Sequence, residues 1–204
     1  MKKQYYQDAF TEKSWQTLIE LKRKAEFILI GGWAVYLYTK ALKSKDIDII
    51  ADYKELDYFK KEFEVQKNDR LKKYEVKQSG IDIDIYLPFY SHLGIPVEEL
   101  IKYTGEIETF SVLLKEMLLL TKLHAYNSRQ TTVKGQKDAV DIFALIFLSD
   151  FDFGFYKKAV KKYKLSQYDL VVKSLLKNTS EVPELDINPH FFKKERDRLM
   201  EKLG

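Results

Sequence analysis

The chain contains no cysteine, which removes disulfides, thiolate zinc sites and cysteine nucleophiles together and fits a reducing compartment. Its 204 residues include only 4 Pro and 8 Gly, too few for a collagen-like or low-complexity chain, and a hydrophobic fraction of 45% argues against long disorder. Histidine is scarce as well. His92, His124 and His190 show neither H-x-x-x-H nor H-E-x-x-H spacing, so a zinc centre is not expected. No apolar run approaches the roughly 18–20 residues that cross a bilayer, and the opening MKKQYYQDAFTEKSWQ has no apolar segment of the signal-peptide kind. A cytoplasmic location with no membrane contact is the expectation. G-x-G-x-x-G, G-x-x-x-x-G-K-[ST] and G-x-S-x-G are also missing, which leaves dinucleotide-binding, P-loop and α/β-hydrolase chemistry without support.

What is present is charge, unevenly placed. From Phe151 onward 12 Lys and Arg face 8 Asp and Glu, so the last quarter accounts for the whole net charge of +4 while the two signs balance upstream. A polyanionic partner is compatible with this, and FYKKAVKKYK could stack on and neutralise RNA; a Lys-rich solvated helix face is the plainer account.

The periodicity predicts an amphipathic helix over Tyr5–Glu26 and a strand at Phe27–Ile30, broken at Gly31-Gly32. A helix running to about Leu42 follows, then a strand at Asp46–Ala51, a helix at Tyr53–Val65, and strands at KYEVKQ and Gly80–Pro88 with a tight turn at Ser79-Gly80. The turn-rich segment from Tyr90 to Phe110 is expected to wrap around the sheet, and everything beyond reads helical. The fold class is therefore α+β: a mixed β-sheet with flanking helices over residues 1–110, then a helical lobe over 111–204.

Side chains at i and i+2 of a strand share a face, about 6.6–6.8 Å apart. Asp46 and Asp48 thus stand together, and Asp82 and Asp84 repeat the pattern in GIDIDIYLP. A lone D-x-D is ordinarily the polar face of a half-buried strand. Two such pairs on neighbouring strands would bring up to four carboxylates to one patch, a natural seat for a hard divalent ion such as Mg²⁺. Glycines between a strand and a helix let backbone amides approach a phosphate, and the positive helix end favours the anion.

GGWAV, KDIDI and IDIDIYLP together resemble the nucleotidyltransferase fold of the DNA polymerase β superfamily, whose hallmark is a GG turn, a helix and then [DE]-h-[DE] on the next strand. The GGWA form and later K-x-x-A, R and K-D-x-x-D elements resemble the AbiEii/MenT-like toxin nucleotidyltransferases. GGWA…DID is also similar to aminoglycoside and lincosamide nucleotidyltransferases. The resemblance implies that Gly31 and Gly32 hold a nucleoside triphosphate and that Asp46 and Asp48 bind metal, two Mg²⁺ ions or Mn²⁺. One carboxylate of the later strand completes the set: Asp84, which directly precedes IYLP, with Asp82 as competitor.

It further implies nucleotide-binding roles for Lys45, Lys122, Arg129, Lys137, Asp138 and Asp141, with Lys122 a mobile point charge for phosphate; such residues on helices are otherwise surface ion pairs. Trp33 stands where the superfamily often has Ser. The implied activity is transfer of a nucleoside monophosphate to a hydroxyl of RNA, tRNA or a small molecule, with an antitoxin protein as partner in the toxin branch. A non-catalytic nucleotide-binding or regulatory protein of the same fold is the alternative.

Overall fold

The computed structural model describes residues 2–78 and 80–203, with side chains from residue 8 onward. The chain forms two compact units, residues 1–114 and 115–204. The first is built on a mixed seven-stranded sheet, the second on helices alone among the described residues.

In the first unit, α1 (Lys2–Lys22) leads to β1 (Ile28–Ile30), α2 (Gly31–Thr39), β2 (Ile47–Ile50) and α3 (Tyr53–Glu62). Then come β3 (Val65–Asn68), β4 (Lys73–Gln78), β5 (Ile81–Tyr86), α4 (Val97–Leu100), β6 (Thr104–Ile107) and β7 (Phe110–Leu113). The strand order is β3-β4-β5-β2-β1-β7-β6. β2 lies antiparallel to β1 and parallel to β5, and β7 lies parallel to β1.

One face of this sheet is apolar through its central strands. Leu29, Ile47, Ile49, Val76, Ile81, Ile83, Ile85 and Val112 are essentially inaccessible to solvent, and burying each contributes roughly 1.5–3 kcal/mol. Pleating sends the alternate residues to the other face, which therefore carries Asp48, Lys73, Glu75, Lys77, Asp82 and Asp84. Hydrophobic burial on the first face fixes the register, and the register in turn fixes which charges meet on the second.

Helix α2 ends at Lys40, whose left-handed φ of 53° caps it short of the expected Leu42. Its Trp33 is buried and donates from Nε1 to Ser14 Oγ at 2.9 Å, while the Trp15 ring lies 5.0 Å away, so α1 and α2 are locked through the indole pair. Trp33 is thus a core residue. Of the tight turn expected at Ser79-Gly80, Ser79 lies outside the described residues; Gly80 has φ +83°.

Three strands depart from the sequence reading. The helix expected over Tyr53–Val65 ends at Glu62 and Val65 instead opens β3, for which no strand was expected, and β6 and β7 fall where only a wrapping segment and a helix start were expected. Each is four residues long, and each is held by its neighbour's backbone. The units divide after Leu114 because Phe110–Leu113 is a sheet strand paired with β1 and β6.

The second unit comprises α5 (Lys115–Arg129), α6 (Val133–Ile146), α7 (Phe153–Lys162), α8 (Gln167–Asn178) and α9 (Pro189–Leu203). Thr132 caps α6 by accepting from the Gly135 amide, and Asp152 caps α7 by accepting from Phe155. No described helix is long and apolar enough to cross a membrane.

Candidate active site

Asp48 sits in β2 directly beside Asp84 of β5, as register partners in a parallel pair. Both project from the charged face, because Ile47, Ile49, Ile83 and Ile85 occupy the other. The next strand extends the row, with Glu75 opposite Asp84. Asp82 lies one pleat earlier, exposed and opposite Lys77, so it is Asp84 that stands next to Asp48. Asp46 precedes β2 and is half-buried; Lys45 is exposed, with its ammonium 4.7 Å from the centre of the Phe10 ring.

Facing Asp48 is the start of α2. Gly31 has φ +65°, and a Cβ there would fall 2.1 Å from Asp48 Oδ2 and 2.6 Å from its Cγ. Only glycine satisfies both demands, the left-handed backbone and the approach of the carboxylate. Ile30 at the N-cap supplies no side-chain acceptor, and the positive end of α2 begins at Gly31, against the Asp48 carboxylate.

The carboxylate row is electrostatically strained. Burial, and after it the Asp48 charge, push Asp84 up to about 6, against the pull of Lys73. Lys73 Nζ lies 2.6 Å from Asp84 Oδ2 and 2.9 Å from Glu75 Oε1, and Asn68 Nδ2 donates to the same Glu75 oxygen at 2.9 Å. Burial disfavours the lysine's charge, but the two carboxylates outweigh it and hold its pKa above the ordinary value. Glu75 is held low, chiefly by Lys73. Neither Lys73 nor Glu75 was singled out from sequence; the only available signal was the alternation of Lys73, Glu75 and Lys77 along β4.

On the same face, at the next row, Ile28 and Ile50 floor a groove of about 380 Å³ that Pro88, Ile101 and Ser111 also line, with Glu26, Asp52 and Glu55 at its rim.

Four of the five nucleotide-binding candidates on the later helices meet within the second unit. Lys122 of α5 is buried with its Nζ 2.6 Å from Asp141 Oδ2 and 3.5 Å from Asp138 Oδ1 of α6, and Arg129 Nε donates to Asp138 Oδ2 at 2.7 Å. Asp138 and Asp141, three apart, share the helix face that receives the lysine. Lys122 is therefore a fixed internal charge where a mobile one was expected. Lys137 is half-buried on the same helix. His124 Nδ1 is 3.0 Å from the Tyr168 hydroxyl, a link between α5 and α8.

Could this site take a divalent ion? Among the described residues no three His, Cys, Asp or Glu side chains are gathered closely enough to hold one. Two are adjacent. The Asp48–Asp84 pair fits a hard cation in donor chemistry and in mutual repulsion, and the missing Cβ of Gly31 is what lets the Asp48 carboxylate lie against the start of α2.

No protein-family model and no curated protein matches the chain. Solved structures do. A candidate nucleotidyltransferase from Thermotoga maritima is similar at 19% identity and a TM-score of 0.46 over 64% of this chain and 94% of its own. JHP933 from Helicobacter pylori is similar at 19% identity and a TM-score of 0.44, over 97% and 96% of the two chains. An antigenic nucleotidyltransferase-like protein from Paracoccidioides brasiliensis follows at 15% and 0.38, over 79% and 92%. At such identities and scores the chemistry has to be read from this chain's own residues.

Proposed function

We propose that the protein is a divalent-cation-dependent nucleotidyltransferase, moving a nucleoside monophosphate from a triphosphate to an acceptor hydroxyl. The observation that carries this reading is the meeting of Asp48 and Asp84, side by side, against Gly31 at the positive end of α2. A structural sheet gains nothing from abutting two half-buried carboxylates, which repel each other.

Asp48 and Asp84 hold Mg²⁺, or Mn²⁺ in its place, and Asp46 joins them on loading; two ions suit three carboxylates and a triphosphate. When bound, the metal neutralises phosphate charge and makes the acceptor hydroxyl more acidic. Gly31 and Gly32 offer backbone amides to the triphosphate, with the helix dipole favouring the anion. Lys45 is the cation of the first unit for the remaining phosphate charge; within the second unit, Lys122 and Arg129 hold the Asp138–Asp141 pair. Without metal, burial and the Asp48 charge hold Asp84 near 6, and a divalent ion would favour its ionised, ligating form. The new bond joins the acceptor oxygen to the α-phosphorus, the bond to the bridging oxygen breaks, and pyrophosphate leaves. Asp82, exposed beside Lys77, is the reserve ligand of this scheme.

For the acceptor we favour an RNA hydroxyl, tRNA included. The second unit carries 17 Lys and Arg against 12 Asp and Glu, and Lys157, Lys158, Lys161 and Lys162 of α7 are all exposed. An antitoxin partner belongs to this branch. Incubation with each α-labelled triphosphate, Mg²⁺ and total RNA, resolved by size, is the test. A labelled RNA band is expected. Nucleotide binding with no transfer to RNA, small hydroxylated molecules or the protein itself would replace this reading with a non-catalytic one.

A further inference from the structure

Resting on that reading, we propose that Lys73 is a tethered counter-ion occupying the electrostatic place of the cation at Asp84, so that loading requires its ammonium to leave that carboxylate. Lys73 thereby sets the threshold of divalent-ion concentration at which the site fills.

Four observations support this. Lys73 Nζ lies 2.6 Å from Asp84 Oδ2, with the two side chains only 12% and 17% exposed, so the pair is little screened by solvent. Asp84 is the carboxylate that Asp48 most needs for a shared cation, being its register partner. Lys73 also has a second anchor, Glu75 Oε1 at 2.9 Å, itself fixed by Asn68; on losing Asp84 the ammonium keeps a partner and need not be stranded. Finally, Lys73 and Glu75 are two apart on β4 and share the charged face, with Glu75 opposite Asp84 of β5, so no backbone change is needed for the ammonium to give up Asp84 and keep Glu75.

The consequence is competition at one oxygen pair. A divalent ion between Asp48 and Asp84 meets a resident positive charge within hydrogen-bonding distance of one of its ligands, and like charges this close weaken ion binding. Removing the ammonium removes the competitor. Replacing it by another cation, as in Lys73→Arg, does not.

The test is Mn²⁺ titration of the whole protein followed by electron paramagnetic resonance, for the wild type, Lys73→Met, Lys73→Arg and Asp48→Asn. Lys73→Met is expected to bind Mn²⁺ at least about tenfold more tightly, a gain of roughly 1.4 kcal/mol, with Lys73→Arg close to wild type and binding lost in Asp48→Asn. Equal or weaker binding by Lys73→Met, with wild-type binding still dependent on Asp48, overturns the counter-ion role and leaves the proposed function standing. Absence of Mn²⁺ binding in every variant overturns the proposed function and this inference with it. If Lys73→Met does not fold, acetylation of wild-type lysines read by mass spectrometry decides: Mn²⁺ should speed modification of Lys73 several-fold, and an unchanged rate refutes the displacement.

Discussion

Replacing Gly31 by alanine perturbs two things at once, and they can be separated. The first is backbone strain. A non-glycine residue at φ +65° costs about 1–2 kcal/mol, which at roughly 2–4 °C per kcal/mol for a chain of this size lowers the melting temperature by about 2–8 °C. The second is local: the new methyl would sit 2.1 Å from Asp48 Oδ2 and 2.7 Å from its Cβ, so the strand residue as well as the carboxylate must yield. Gly80→Ala serves as control. Gly80 also has positive φ, +83°, but its Cβ would meet only the edge of the Phe10 ring at 3.1 Å, which can swing aside. Gly31→Ala should lose more stability than Gly80→Ala in thermal melts, because only it adds a clash to the backbone strain, and only Gly31→Ala should also lose Mn²⁺ binding and nucleotidyl transfer. Wild-type Mn²⁺ affinity in Gly31→Ala, or a melting temperature equal to wild type, would refute the reading of Gly31 as the partner of Asp48.

Asp48→Asn should keep the fold by circular dichroism and lower transfer by about a hundredfold or more, with Asp46→Asn less severe because Asp46 lies outside the adjacent pair; equal, near-wild-type rates would remove the metal assignment. In EDTA, the raised pKa of Asp84 means that its protonated form is the one folding favours, so its contribution is complete below about pH 4 and is lost as pH rises through about 6. Asp84→Asn should therefore flatten the urea-stability profile across that window and stand roughly 1–3 kcal/mol above wild type at pH 8, while abolishing transfer; a variant less stable than wild type at pH 8 contradicts this. Lys122→Met leaves Asp141, 1% exposed, without its buried partner and should cost about 3–5 kcal/mol by denaturant unfolding, a loss far larger than any exposed α7 lysine would give.

Sequence and structure agree best where one periodicity runs long enough to be read. β2 and β5 were legible because isoleucine alternates with aspartate, and the later helices because their apolar stripes span several turns. β3, β6 and β7 were hidden: VQKN, TGEI and FSVL lack the isoleucine–aspartate alternation that marks the equally short β2, and they acquire strand geometry from the strand beside them. Within the site, the alternation placed Asp48 on its strand but extended that strand one residue too far, to Asp46, which precedes β2, and the choice between Asp84 and Asp82 depends on the offset between two parallel strands. That offset is set by Ile47, Ile49, Ile83 and Ile85 packing on the opposite face. Lys73 and Glu75 were illegible for the same reason, since their roles come from what lies across the sheet. The burial of Lys122 depended on α5 meeting α6, a pairing that no helical pattern specifies.

The pairing of β2 with β5 also has a kinetic side. Because the two strands are parallel, the chain must complete α3 and the β3–β4 hairpin before Asp84 can come to rest beside Asp48. Such distant pairings form slowly, whereas α5 and α6 adjoin in sequence and can find each other through local search. During synthesis, then, a ribosome-bound chain that has emerged only as far as β4 already holds the Gly31 turn and half of its carboxylates yet has no site. Competence arrives in one step, when β5 docks.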